Sequence, residues 1–224
     1  MAQNNQNQAT QKDEMLNKSE VFVVKYKNTL LYSLIGILAI VAVILAVKNF
    51  YLAPRAEKAS TELAKCQALF DQEDFEKSLK GDGKTCMGFI KVADEYGCTD
   101  AGNLAQLYAG LAYAQLGKYK EAEPYLEDFN TADDQMISPA ALLALGDVYA
   151  QNGKLDDAVS MFKKAAEKAA NNSISPTALI KAGEILESQN KKSDALKLYQ
   201  EIKEKYVNSM VYQEIDKYIE RVTE

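Results

Sequence analysis

The sequence predicts an all-α protein. One N-terminal transmembrane helix comes first, then an α-solenoid of three helical-hairpin repeats, preceded by a degenerate helical hairpin and closed by a C-terminal capping helix. Three observations predict it. Residues 28–47 run without a single charge. Small residues recur at Gly110, Gly146 and Gly183, and again at Ala122, Ala158 and Ala195, at intervals of 36 and 37 residues in both sets. Only 4 Pro and 11 Gly interrupt 224 residues rich in Ala, Leu, Glu and Lys, the strong helix formers.

Composition narrows the chemistry before any motif is read. The chain has no His, so it has no imidazole base, no Ser–His–Asp or Cys–His catalysis and no His ligand for a metal. A net charge of −6 argues against a nucleic-acid partner, whose grip depends on neutralised phosphates. Acidic pairs such as Asp133-Asp134 and Asp156-Asp157 fall at turns or helix starts, where carboxylates cap helices and oppose the macrodipole. No catalytic, cofactor-binding or metal-binding residue is assigned, and an enzyme is not expected.

In chain order, residues 1–27 form a polar, Asn/Gln-rich head with too few apolar residues to fold. The run NTLLYSLIGILAIVAVILAV at 28–47 is long enough to cross about 30 Å of hydrocarbon as a helix. Lys25 and Lys27 bound it on one side and Lys48 on the other, and Tyr26, Tyr32, Phe50 and Tyr51 lie where rings favour the headgroup layer. A cleaved signal peptide is the competing reading. The run exceeds its usual apolar length of about 7–15 residues, and KNFYLAPRAE offers no small-x-small site. The head is too small to favour export, while residues 48–224 carry 22 basic and 29 acidic residues. The expected topology is a cytoplasmic head and an exported C-terminal domain.

Residues 48–102 read as a connecting helix and a degenerate hairpin, with one amphipathic helix and a partial second over 54–79 and a further helix over 84–96. This region holds all three cysteines, Cys66, Cys86 and Cys98. If 86–98 is one helix, its two ends stand about 18 Å apart, too far for a bridge. Cys66 paired with either remains open, as does burial without pairing. GDGKT at 81–85 has the ending of a phosphate-binding loop, but Ser78 stands where that motif needs Gly, and a helix precedes it where a strand is required.

The repeats occupy 103–138, 139–175 and 176–208. Larger side chains recur in register at Tyr113, Tyr149 and Leu186, then at Leu126, Phe162 and Tyr199. Gly117, Gly153 and Asn190 mark the turn inside each hairpin, where a left-handed residue is required. Ser138-Pro139 and Ser175-Pro176 read as an N-cap followed by Pro in the first turn. In 209–224, Val211, Ile215, Tyr218, Ile219 and Val222 make an apolar stripe suited to covering the last repeat.

These repeats resemble the tetratricopeptide (TPR) family. The second unit carries the pattern most fully, in Leu145-Gly146, Tyr149, Gly153, Ala158, Phe162 and Ala165. The family's frequent Trp is replaced by Gln106, Leu142 and Leu179, and the period exceeds the usual value of about 34. The resemblance implies a concave groove lined from the first helix of each unit. In this chain those positions are Leu104, Leu107, Leu111, Ala114 and Gln115; Ala140, Leu143, Asp147, Ala150 and Gln151; and Thr177, Ile180, Glu184, Glu187 and Ser188. Lacking the Lys and Asn that clamp a terminal carboxylate, such a groove suits a segment with apolar anchors and basic ends. Coverage of the leucines by helices from 54–96 is the alternative.

The layout of short head, single span, connecting helix and small repeat domain resembles the YfgM-like proteins of the bacterial inner membrane. That resemblance implies a periplasmic domain, association with translocon subunits and a periplasmic chaperone, and help to unfolded secreted chains. The rival expectation is a structural scaffold in a secretion, division or gliding machine.

Overall fold

The computed structural model describes residues 24–29 and 31–224, so most of the polar head predicted for 1–27 lies outside the described residues. The chain divides into two compact units, Met1–Pro54 and Arg55–Glu224. In the first unit, helix α1 covers the described residues 24–29 and 31–46, and no described side chain on it is buried. Among the described residues it alone supplies a window long and apolar enough to cross a membrane. Over 31–46 it carries no charged side chain on any side, a surface that water disfavours and hydrocarbon accepts.

Past α1 the backbone widens to π-helix over Val47–Leu52, where the Ala53 N–H donates to the Lys48 carbonyl. Pro54 supplies the physical reason. It has no N–H to return to Phe50, and its ring would crowd that carbonyl in a regular α-turn.

In the second unit, α2 (Ala53–Phe70) turns Ala59, Leu63 and Cys66 inward at helical spacing. They meet Leu79 of α3 (Phe75–Lys80), Phe89 and Val92 of α4 (Phe89–Tyr96), and an alanine face of α5 (Asp100–Gln115) made by Ala101, Ala105, Ala109 and Ala112. The helix expected over 84–96 therefore begins only at Phe89. Gly81, Gly83 and Gly88 take positive φ, and the Asp82 carboxylate accepts the N–H groups of Lys84, Thr85 and Cys86 at 2.8–2.9 Å. A side chain that collects three successive amides holds the chain in a turn and denies those amides to a helix. Cys86 thereby leaves the helix and reaches Cys66, with which it forms a disulfide at a Cα–Cα distance of 5.0 Å. Cys98 is exposed and unpaired. Burial without pairing, one of the two open readings, is overturned for Cys66 and Cys86.

The repeats follow as hairpins α5/α6 (Tyr119–Glu127), α7 (Ile137–Gln151)/α8 (Leu155–Ala169) and α9 (Ile174–Ser188)/α10 (Lys192–Lys205). Each helix packs against the next, and α5, α7 and α9 also touch in turn, which makes the stack a solenoid. The register of small and large residues has a direct meaning. A methyl group at Gly110 would fall 2.5 Å from Leu126, one at Gly146 2.6 Å from Phe162, and one at Gly183 2.3 Å from Tyr199. Each glycine is a notch that admits the large side chain of the paired helix.

Gly117, Gly153 and Asn190 have φ of +71°, +80° and +61°, the left-handed turn expected of them. A Cβ at Gly153 would meet nothing within 4 Å, so its requirement is purely conformational. Gly153→Ala should therefore cost about 1 kcal/mol, the usual left-handed penalty, in a urea titration of the full chain.

The Ser-Pro pairs sit deeper than an N-cap. Helices α7 and α9 begin at Ile137 and Ile174, one residue before each Ser. The capping acceptors lie upstream: Asp134 accepts from the N–H groups of Met136, Ile137 and Ser138, and Asn171 from those of Ser173 and Ile174. Hydrogen bonding by Ser138 and these amides holds the Asp134 carboxyl at about 2. Both serines are fully buried: Ser138 bonds Ala132 and Asp134 in the preceding loop, and Ser175 ties its helix start to the preceding hairpin by donating to the Ala166 carbonyl at 2.7 Å. Pro139 and Pro176 fit this depth because first-turn N–H groups have no helical partner to lose.

After a 3₁₀ turn at Met210–Glu214, α11 (Ile215–Thr223) lays Ile215 and Val222 into the core formed by α8, α9 and α10. The Arg221 guanidinium grips Glu187 of α9 through two bonds of 2.6 and 2.7 Å. The stripe in 209–224 thus closes the stack.

Candidate protein-docking surfaces

Because α5, α7 and α9 touch in turn, their outward residues can form one continuous face. The residues expected to line it do not share one environment. Leu107 and Ile180 are buried among core residues, so their side chains hold the stack together. Leu104, Leu111, Ala114, Leu143 and Ala150 are half-buried, while Gln115, Ala140, Gln151, Glu184 and Ser188 are exposed. Leu104 packs partly against the core shared by α2, α3, α4 and α5, whereas Leu107 is covered by residues of α6 and α7.

The acidic end of that face is largely neutralised. Lys181 approaches Asp147 to 2.5 Å. Burial pushes the Glu187 carboxyl up, but hydrogen bonds from Arg221 and Tyr199 outweigh it and hold the group below its usual range. Glu184 remains exposed. Sequence spacing within single helices does not reveal these cations, because Lys181 comes from the next unit and Arg221 from the capping helix.

The GDGKT segment follows helix α3 rather than a strand, and the amides that would cradle a phosphate are given to Asp82. Bonds from Thr85 and from those amides hold the Asp82 carboxyl well below its usual range. The loop borders a cleft of about 470 Å³ with Lys65, Lys80, Lys84 and Lys91 around it. Among the described residues, no group of His, Cys, Asp and Glu is placed to hold a metal ion.

A second cavity is one that the sequence does not announce. It has about 250 Å³ and lies between α6, α7 and α8, walled by Leu126, Phe129, Leu142, Leu145, Tyr149 and Met161. The Tyr149 hydroxyl donates to Glu127 at 2.6 Å, and burial together with that carboxylate raises its pKa. Pro124 inside α6 is the available signal, since a proline there removes an intrahelical bond and weakens the helix that follows.

Comparison with known proteins agrees with this architecture. Two solved structures of the nearly identical TPR-like repeats of a proposed kinesin light chain from Podosopora anserina, one of them a single-residue variant, share 11% identity with this chain. The TM-scores are 0.56 and 0.55, over 74% of this chain and 84% and 85% of theirs, a likeness of fold alone. No curated protein matches the chain in sequence. A profile for the tetratricopeptide repeat-like domain matches residues 21–216, well over half of the sequence, and the chain belongs to that family.

Proposed function

We propose that this protein is a membrane-anchored, extracytoplasmic docking module that binds polypeptides through its repeat stack, in the manner of YfgM-like proteins. Stacked hairpins of this family present surfaces to protein partners. The Cys66–Cys86 disulfide is the observation that carries the topology, because such bonds persist in oxidising compartments and are rare in the cytosol. An apolar helix with no buried described side chain supports retention in a membrane, and the acidic domain after it supports export. The partners are translocon subunits, a periplasmic chaperone and unfolded secreted chains. Anchoring raises the concentration of the docking face near the site where such chains emerge, without any new contact.

Two measurements test this. In intact spheroplasts a membrane-impermeant maleimide should label the chain once, at the exposed Cys98. Labelling only after the membrane is broken would refute export. Purification in mild detergent should recover translocon subunits with the wild type and lose them with Gln115→Lys/Gln151→Lys/Glu184→Lys, an exposed set that should leave stability within about 0.5 kcal/mol. A stoichiometric division or gliding machine in the eluate would assign the chain to scaffolding instead.

A further inference from the structure

Helix α6 has 9 residues where its counterparts α8 and α10 have 15 and 14. In the repeat register Leu126 takes the place of Phe162 and Phe129 that of Ala165, yet the helix ends at Glu127. Asn103 then holds the departing chain at Asn130 through two bonds of 2.8 Å. The helical turns that would cover α7 are missing, and the apolar cavity of about 250 Å³ opens there. A cavity of roughly 150 Å³ already accepts a benzene-sized group.

The surroundings are predominantly acidic, with Lys154, 5.3 Å over the Tyr149 ring, as a cation at the wall. Residues 121–153 contain seven carboxylates and not one Lys or Arg. Glu123 is answered by Lys154, Asp147 by Lys181, and Asp134 is engaged by the start of α7. Glu121, Asp128 and Asp133 stay exposed, and Glu127 stands at the cavity mouth, where it accepts from Tyr149.

We propose that this cavity receives one large apolar side chain, Phe, Leu or Met, from an extended polypeptide partner that carries Lys or Arg beside it. The walls remove the side chain from water, and the carboxylates steer and orient the cations without being desolvated. This second site shares no lining residue with the α5–α7–α9 face, although α7 contributes to both. Basic charge alone would not need a cavity, and an apolar segment alone would gain nothing from an acidic rim.

The test uses the full chain in phosphatidylcholine nanodiscs and a fluorescein-labelled peptide whose central Phe-Leu pair is flanked by lysines. Leu142→Trp, which fills the cavity, and Asp128→Lys/Asp133→Lys, which reverses two exposed carboxylates of the rim segment, within two residues of the lining residues Phe129 and Thr131, should each weaken anisotropy-measured binding by about tenfold or more. Gln115→Lys/Gln151→Lys/Glu184→Lys should bind the peptide as the wild type does, which separates this site from the other face. Equal binding by a peptide with Ala-Ala in place of Phe-Leu would overturn the proposal, as would unchanged binding by the rim variant. Since the rim residues are exposed, that second variant keeps the test decisive even if Leu142→Trp folds poorly.

Discussion

Replacing Phe162 by alanine should remove about 3–5 kcal/mol from the unfolding free energy of the repeat unit. The ring is 1% exposed and fills the notch at Gly146, so truncation leaves a void bounded by two helices that cannot close on it. Gly146→Ala attacks the same contact from the other side. An alanine inside a helix ordinarily gains about 1 kcal/mol over glycine. Here its methyl would sit 2.6 Å from a buried ring, and overpacking of that kind costs about 1–3 kcal/mol. The overpacking should win. Urea unfolding followed by circular dichroism in detergent would measure both changes. A double variant with Phe162→Leu should recover most of the Gly146→Ala loss, since the two changes share one contact. Additive losses would show that the notch and the ring are not partners.

Removing the disulfide should rank next. Cross-linking positions 20 residues apart is worth roughly 3 kcal/mol, mainly by restricting the unfolded chain. Cys66→Ala/Cys86→Ala should lose about that much, and Cys98→Ala almost nothing, because Cys98 is exposed and unpaired. The two bridged residues are 0% and 2% exposed, so a mild reductant should act only on molecules that have opened locally. A thiol titration that finds three reactive groups in the native, unreduced chain would remove the bridge from this account.

What is legible in the sequence is whatever repeats. Gly110, Gly146 and Gly183 can be matched to Leu126, Phe162 and Tyr199 because each unit says the same thing again. The left-handed turns at Gly117, Gly153 and Asn190 are legible for the same reason, and so is the apolar stripe of α11. The features that stay hidden occur once. Nothing periodic announces that Asp82 will gather three amides, so the 84–88 stretch reads as helix, and spacing leaves Cys66 free to pair with either Cys86 or Cys98. The upstream caps Asp134 and Asn171 stand behind the more familiar Ser-Pro signal. Of the expected docking residues, Leu107 and Ile180 belong to the core, and Asp147 and Glu187 are answered by cations from other helices. The shortened α6 is the opposite case, a departure from the repeat rather than an instance of it.

The two ends of the stack are secured by bonds of different kinds. At the beginning the bridge between Cys66 and Cys86 is covalent, whereas at the end α11 is held by apolar contact and the Arg221–Glu187 pair. In a one-dimensional array, opening starts at the terminal unit with the weaker hold. The molecule accordingly has a polarity of unravelling: amide protons should exchange first in α11 and α10, with the wave running toward the N-terminal hairpin and halting at a clasp that only a reducing agent can undo.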